Sequence, residues 1–211
     1  ETPERGLVYD AKNLAFILPA GKYIGNSRYK DVFAASAMAD LTSFRNHWGA
    51  ETSLDVELYR PVARYELVAK DVATFLNKLS TGGLKGESFT ARVKYSDYLP
   101  TGYNLWDDVP KNSLMYMEYK VAFERPADGT KELILGFDYV LTDAGETVSI
   151  PVELEILNEK NEVLARTAFR IPCERGKNTT VRGNFLTSDA NGGIGIAPDY
   201  DGDLEVDLGE L

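Results

Sequence analysis

The chain has 211 residues, 44% of them hydrophobic, and carries 23 Lys and Arg against 33 Asp and Glu for a net charge of -10. That is enough apolar material for a folded core, and the negative field repels phosphate backbones and anionic headgroups, so neither nucleic acid nor a membrane surface is expected as a partner. Cys173 is the single cysteine, which excludes an internal disulfide and a cysteine-based zinc cluster, and no run reaches the roughly 18 apolar residues of a membrane span.

The start, Glu1-Thr2-Pro3-Glu4, lacks the basic and apolar regions of a signal peptide. The N-terminal half is less regular, with strands expected over residues 14–18, 31–37, 54–59, 62–69 and 88–98. One short helix interrupts them. Asp71 stands at its cap, Val72, Phe75, Leu76 and Leu79 follow at helical spacing, and Gly82-Gly83 ends it. Residues 101–112, centred on Asp107-Asp108-Val109-Pro110, are rich in turn formers and read as a linker.

Further strands are expected over 115–123, 132–141, 179–186, a short piece at 193–197 and 204–208. Between them lie turn signals such as Asp128-Gly129, Asn191-Gly192-Gly193 and Asp201-Gly202. The clearest periodicity is Val148, Ile150, Val152, Leu154 and Ile156, followed after Asn158-Glu159-Lys160-Asn161 by Val163, Ala165, Thr167, Phe169 and Ile171. These form a hairpin whose outer face sets Glu153 or Glu155 against Arg166, a pairing worth on the order of 0.2–1 kcal/mol that also fixes register. Residues 113–211 alone supply about seven strands, the number a small sandwich uses. The expected organisation is all-β: two tandem sandwich domains, 1–112 and 113–211, with the helix in the first. The first domain looks one or two strands short, so strand exchange is expected there first and at 204–208 second.

Chemistry-bearing constellations are sparse. His47 is the single histidine and has no nucleophile elbow to serve. Cys173 has no activating neighbour in sequence. The acidic stretch from Asp199 to Glu210 places oxygens at alternate positions, but its glycine, Gly202, falls at the fourth rather than the sixth position of a calcium loop. Leu204, Val206 and Leu208 there alternate as a strand. Glu153 and Glu155 share a strand face with arginine opposite, which is a structural pair rather than a glycosidase pair. No catalytic residue, metal or cofactor is therefore expected. The binding clue is aromatic: Tyr98, Tyr103 and Trp106 cluster near the expected linker and could stack on sugars or proteins if exposed on one face.

Four short motifs occur in order along most of the chain. Leu18-Pro19-Ala20-Gly21-Lys22-Tyr23 is similar to an early Leu-Pro-x-Gly-x-Tyr turn of the fimbrillin-like proteins of Bacteroidales, and Leu58-Tyr59-Arg60-Pro61-Val62-Ala63 resembles their Leu-x-Arg-Pro-x-Ala strand. The stretch from Tyr98 to Leu105 resembles their interdomain segment, and Asn178-Thr179-Thr180-Val181-Arg182-Gly183-Asn184-Phe185-Leu186-Thr187 resembles their penultimate motif. The resemblance implies two tandem transthyretin-like, Greek-key sandwiches. It also implies export through a lipoprotein signal upstream of Glu1, a location at the cell surface, outer membrane or fimbrium, and assembly with other fimbrial subunits by β-strand addition. The alternative is a non-polymerising module that binds carbohydrate or a host ligand. Independently of any family, Pro61 has no N–H and suits a strand start, while Gly183 within a strand signals a bulge or close backbone approach.

Overall fold

The computed structural model describes residues 8–188 apart from 11, 14, 48, 83 and 85. In chain order its elements are β1 (Tyr9–Asp10), β2 (Phe16–Pro19), β3 (Val62–Ala69), α1 (Val72–Ser80), β4 (Ser88–Tyr95), β5 (Leu99–Asn104) and β6 (Val109–Leu114). They continue with β7 (Glu118–Glu124), β8 (Leu133–Leu141), β9 (Thr147–Asn158), β10 (Val163–Glu174) and β11 (Asn178–Gly183). The strands expected at 193–197 and 204–208, and the acidic stretch from 199, lie outside the described residues.

The hairpin β9–β10 forms with the inward face that its alternation dictates, and of the two glutamates it is Glu155 that stands opposite Arg166, with Ile171 opposite Ile150. Its inward residues Val152, Leu154, Ile156 and Ile171 are almost wholly buried. β4 adds to the free side of β9 and β7 to β4, giving a sheet of order β10-β9-β4-β7. Opposite it stands a sheet of order β11-β3-β8, in which β3 runs antiparallel to β8 and parallel to β11. Tyr65 and Leu67 of β3, Phe75 of α1, Phe89 and Val93 of β4, Leu135 of β8 and Val181 of β11 join the inward face of β9–β10 in one core. Each such side chain contributes about 1.5–3 kcal/mol on burial.

The protein is thus an all-β sandwich with one helix, but its strands are not divided at residue 112. β3 and β4 pair with β8, β11, β7 and β9, so both sheets draw on both sides of the expected boundary. Alternation marks a half-buried face and is silent on which strand lies beside it. Residues 101–112 likewise form a hairpin, β5–β6, in place of a linker. Their turn formers are accommodated within it: Asp108 and Asn112 take φ of 58 and 54. With β1 and β2 this hairpin makes a third sheet, β1-β2-β5-β6. Ile17, Tyr103, Val62 and Leu141 pack it onto the end of the sandwich.

Two further expectations change. Residues 31–37 and 54–59 make no ladder; they meet in a single bridge between Ala34 and Tyr59. Helix α1 has its expected span and is followed by Gly82 at φ 76, but the Asp71 side chain does not cap it. Its carboxylate accepts from the backbone N–H of Leu186 and Thr187 and from the Thr187 hydroxyl, tying the segment after β11 to the start of α1. Pro61 does precede a strand, and its carbonyl accepts from the Thr142 N–H. At Gly183 an added Cβ would lie 2.7 Å from the Phe185 ring, which stacks on Phe169 with centroids 5.3 Å apart.

Candidate functional site

On the outer face of the sheet β11-β3-β8 the alternation of β3 turns Arg64 and Glu66 away from the core. The parallel register sets Asn178 beside Arg64 and Thr180 beside Glu66, and the antiparallel one sets Tyr139 beside Arg64 on the other flank. These residues, with Asp31, Arg60, Lys177 and Arg182 around them, line a cleft of about 790 Å³.

Four cations, Arg60, Arg64, Lys177 and Arg182, face two carboxylates, Asp31 and Glu66, in that lining. With Glu132 and Glu174 at its rim, each of these cations has a carboxylate partner. Arg64 donates to Asn178 Oδ1 and to Glu66 Oε2, both at 2.7 Å, and lies over the Phe137 ring. Arg60 donates to Asp31 at 3.0 Å and lies over Phe33. Lys177 pairs with Glu174, and Arg182 more loosely with Glu132 at 3.8 Å. Planar guanidinium forks, carboxylates and ring edges on a rigid sheet suit hydrogen bonding and stacking against hydroxyl or carboxylate groups. Burial, then the nearby charge of Asp31, raises the Tyr139 phenol above its ordinary value, so it acts here as a neutral donor.

The three aromatic candidates are not brought together. Tyr98 and Trp106 are exposed, at 63% and 71%, but they sit at opposite ends of the six-residue strand β5, roughly 20 Å apart at about 3.3 Å per residue. Tyr103 is fully buried between them. Its hydroxyl donates to Asp108 at 2.7 Å, and Asp108 in turn receives both outer nitrogens of Arg175. A buried ring cannot stack on a ligand, so these residues form no common platform. Sequence reasoning missed the cleft because its parts come from residues 31, 60–66, 139 and 176–182. The outward Arg64-x-Glu66 of β3 and Asn178-x-Thr180-x-Arg182 of β11 were the visible signals.

The other sequence candidates resolve individually. His47 is exposed. Cys173 is buried, and burial pushes its thiol up to about 12, away from nucleophilic use. Glu155 is 0% exposed although it faces outward, because Arg92, Lys94 and Arg166 cover it with hydrogen bonds and ion pairs. Among the described residues no group of three or more His, Cys, Asp and Glu could hold a metal, and no helix is long and apolar enough to cross a membrane.

Fold and site together define an all-β sandwich bearing an ion-paired surface cleft. The chain belongs to a family of unknown function, DUF6562, whose model matches residues 1–209. Among solved structures it is similar to a candidate cell adhesion protein from Bacteroides ovatus ATCC 8483, at 13% identity and a TM-score of 0.37 over 61% of this chain and 41% of that one. A second candidate cell adhesion protein, from Bacteroides eggerthii DSM 20697, aligns at 11% identity and a TM-score of 0.30 over 66% of this chain and 53% of that one. The chain therefore spans about half the length of these structures or less. None of the curated proteins matches it.

Proposed function

We propose that this protein is an exported, surface-located adhesin-type subunit that works by binding through β-strand addition, in the manner of fimbrillin-like proteins, and not by catalysis. The observation that carries this reading is the segment 54–58. Leu54, Val56 and Leu58 alternate with Asp55 and Glu57 as a half-buried strand would, yet they are 54%, 46% and 64% exposed, and the segment joins no sheet among the described residues. Unpaired backbone groups beside an apolar stripe are what an added strand satisfies. The partners are other subunits of the same kind, with attachment to the cell through a lipid anchor on an upstream segment.

The test is assembly in vitro. Protein incubated with and without limited proteolysis is examined for ladders by electron microscopy and denaturant-resistant gels. Ladders are expected from the native sequence and not from Val56→Lys, whose monomer stability stays within about 0.5 kcal/mol because the site is exposed. Persistent monomers of the native protein under every condition would refute the reading.

A second reading, a non-polymerising module for carbohydrate or a host ligand, is supported by the cleft around Arg64. A glycan array that retains a ligand for the native protein and loses it for Arg64→Ala would favour it. No binding on the array would remove it.

A further inference from the structure

An inward position on β8 is occupied by a carboxylate. Asp138 lies opposite Tyr65 in the ladder and is 0% exposed, where alternation calls for an apolar side chain. Lys30 reaches it from the 3₁₀ turn Arg28–Lys30, in a stretch that belongs to no sheet. The lysine side chain is 5% exposed, and its Nζ stands 2.6 Å from Asp138 Oδ1.

The hydrogen-bond partners of the pair are phenols and backbone, and the buried Cys173 thiol lies within reach of the Asp138 charge. Lys30 Nζ donates to the Tyr23 hydroxyl at 2.9 Å, and that hydroxyl donates to Asp138 Oδ2. The Tyr95 hydroxyl donates to the same Oδ2 at 2.7 Å, and the Tyr139 N–H donates to Oδ1 at 2.8 Å. Tyr65 contacts the hydroxyls of Tyr95 at 2.6 Å and Tyr119 at 3.2 Å. A closed relay therefore runs from the amine through Tyr23 to the second oxygen of the carboxyl group.

We propose that Lys30 and Asp138 condense to an intramolecular isopeptide bond. The reacting forms are the neutral amine and the carboxylic acid, reached by one proton transfer within the pair. The Nζ lone pair attacks Cγ while the hydrogen bonds at the carboxyl oxygens polarise it. One Nζ proton then passes through the Tyr23 hydroxyl to Oδ2, and the Cγ–Oδ2 bond breaks with release of water that carries this proton and the acid's own. The amide keeps Oδ1 and one N–H, so atoms balance and no oxidant or reductant is needed. Burial lowers the Lys30 ammonium below its ordinary range, against the opposing pull of Asp138, which favours the nucleophilic form. Condensation also relieves the desolvation of two buried charges. The bond would staple residues 20–34 to β8 in a chain whose single cysteine, Cys173, cannot form an internal disulfide.

Intact mass of the purified full chain under denaturing conditions tests this. The native protein is expected one water lighter than its sequence, and Lys30→Arg at its full sequence mass. Other dehydrations, such as succinimide formation at an Asp-Gly pair, also remove a water, so the bond is located by tandem mass spectrometry. Trypsin is expected to leave Lys30 uncut and to yield a branched peptide joining it to the peptide that holds Asp138. Native protein at full mass, or a water loss with Lys30 cleaved normally and no branched peptide, would overturn the proposal and leave the pair an ordinary buried ion pair. The mass and peptides of the native protein decide the outcome, so misfolding of the variant cannot obscure it.

Discussion

The hairpin β9–β10 and the segment 31–59 carry the same kind of signal and meet different fates. Val148 to Ile156 and Leu54 to Leu58 both place apolar residues at every second position, with acidic residues among those between them. In the first, Leu154 and Ile156 are 1% and 0% exposed; in the second, Leu54 and Leu58 are 54% and 64% exposed. The difference lies in neighbours. β9 has β10 on one side and β4 on the other, whereas the pairing of the earlier segment among the described residues is the Ala34–Tyr59 bridge. Alternation makes a strand competent, and a second strand with a facing sheet makes it real.

The largest effect is expected from breaking the paired side. Leu154→Ala removes a side chain that packs between the two sheets and should cost about 2–5 kcal/mol, read as a lowered midpoint in urea. The equivalent truncation at Leu54 should move that midpoint hardly at all. Equal losses at the two sites would mean that the earlier segment is packed after all.

Acid should act on the same hairpin next. Burial raises the Glu155 carboxyl, but hydrogen bonds from Lys94, Arg92 and Arg166 outweigh it and hold the group at about 2. A folded value below the unfolded one means that this stabilisation is complete above the ordinary carboxylate range and is lost as pH falls toward 2. It amounts to on the order of 2–3 kcal/mol for a shift of that size. Asp108, held well below the usual range first of all by its hydrogen bonds with Arg175, adds to the acid sensitivity in the same direction. Urea unfolding as a function of pH should therefore weaken steadily below about pH 4.5, and Glu155→Gln should flatten part of that slope. An unchanged slope in the variant would remove Glu155 from the account.

The gentlest probe is hydrogen exchange. Backbone amides across 148–171 should be protected close to the global limit and those across 35–58 should exchange fast, since the latter have no ladder partners among the described residues. Slow exchange in 35–58 with fast exchange in 148–171 would reverse the comparison and with it the choice of segment for strand addition.

Much of this architecture was legible in the chain itself. The inward face of β9–β10, the span of α1 and the start of β3 after Pro61 each follow from local patterns: period two, period 3.6 and a missing N–H; at Gly183 the crowding neighbour is the Phe185 ring in place of the expected bulge or backbone. Binding candidates were less legible. Trp106 and Tyr98 are exposed, but Tyr103 between them is buried because it anchors the β5–β6 hairpin to the sandwich. Asp71 shows the same limit, for a residue of the right type at a helix start serves a strand end more than a hundred positions away.

The sequence by itself determined that the protein is all-β, the inward face of the β9–β10 hairpin and the place of the one helix, because side-chain periodicity and turn chemistry act over a few residues. Only the tertiary structure decided that β3 and β4 share sheets with β7 to β11, that Arg64, Tyr139 and Asn178 meet across one cleft, and that Lys30 finds Asp138 in the core. Those are choices of partner. Backbone hydrogen bonding is blind to side-chain identity, so the pairing of strands is settled by how all the buried faces fit together at once.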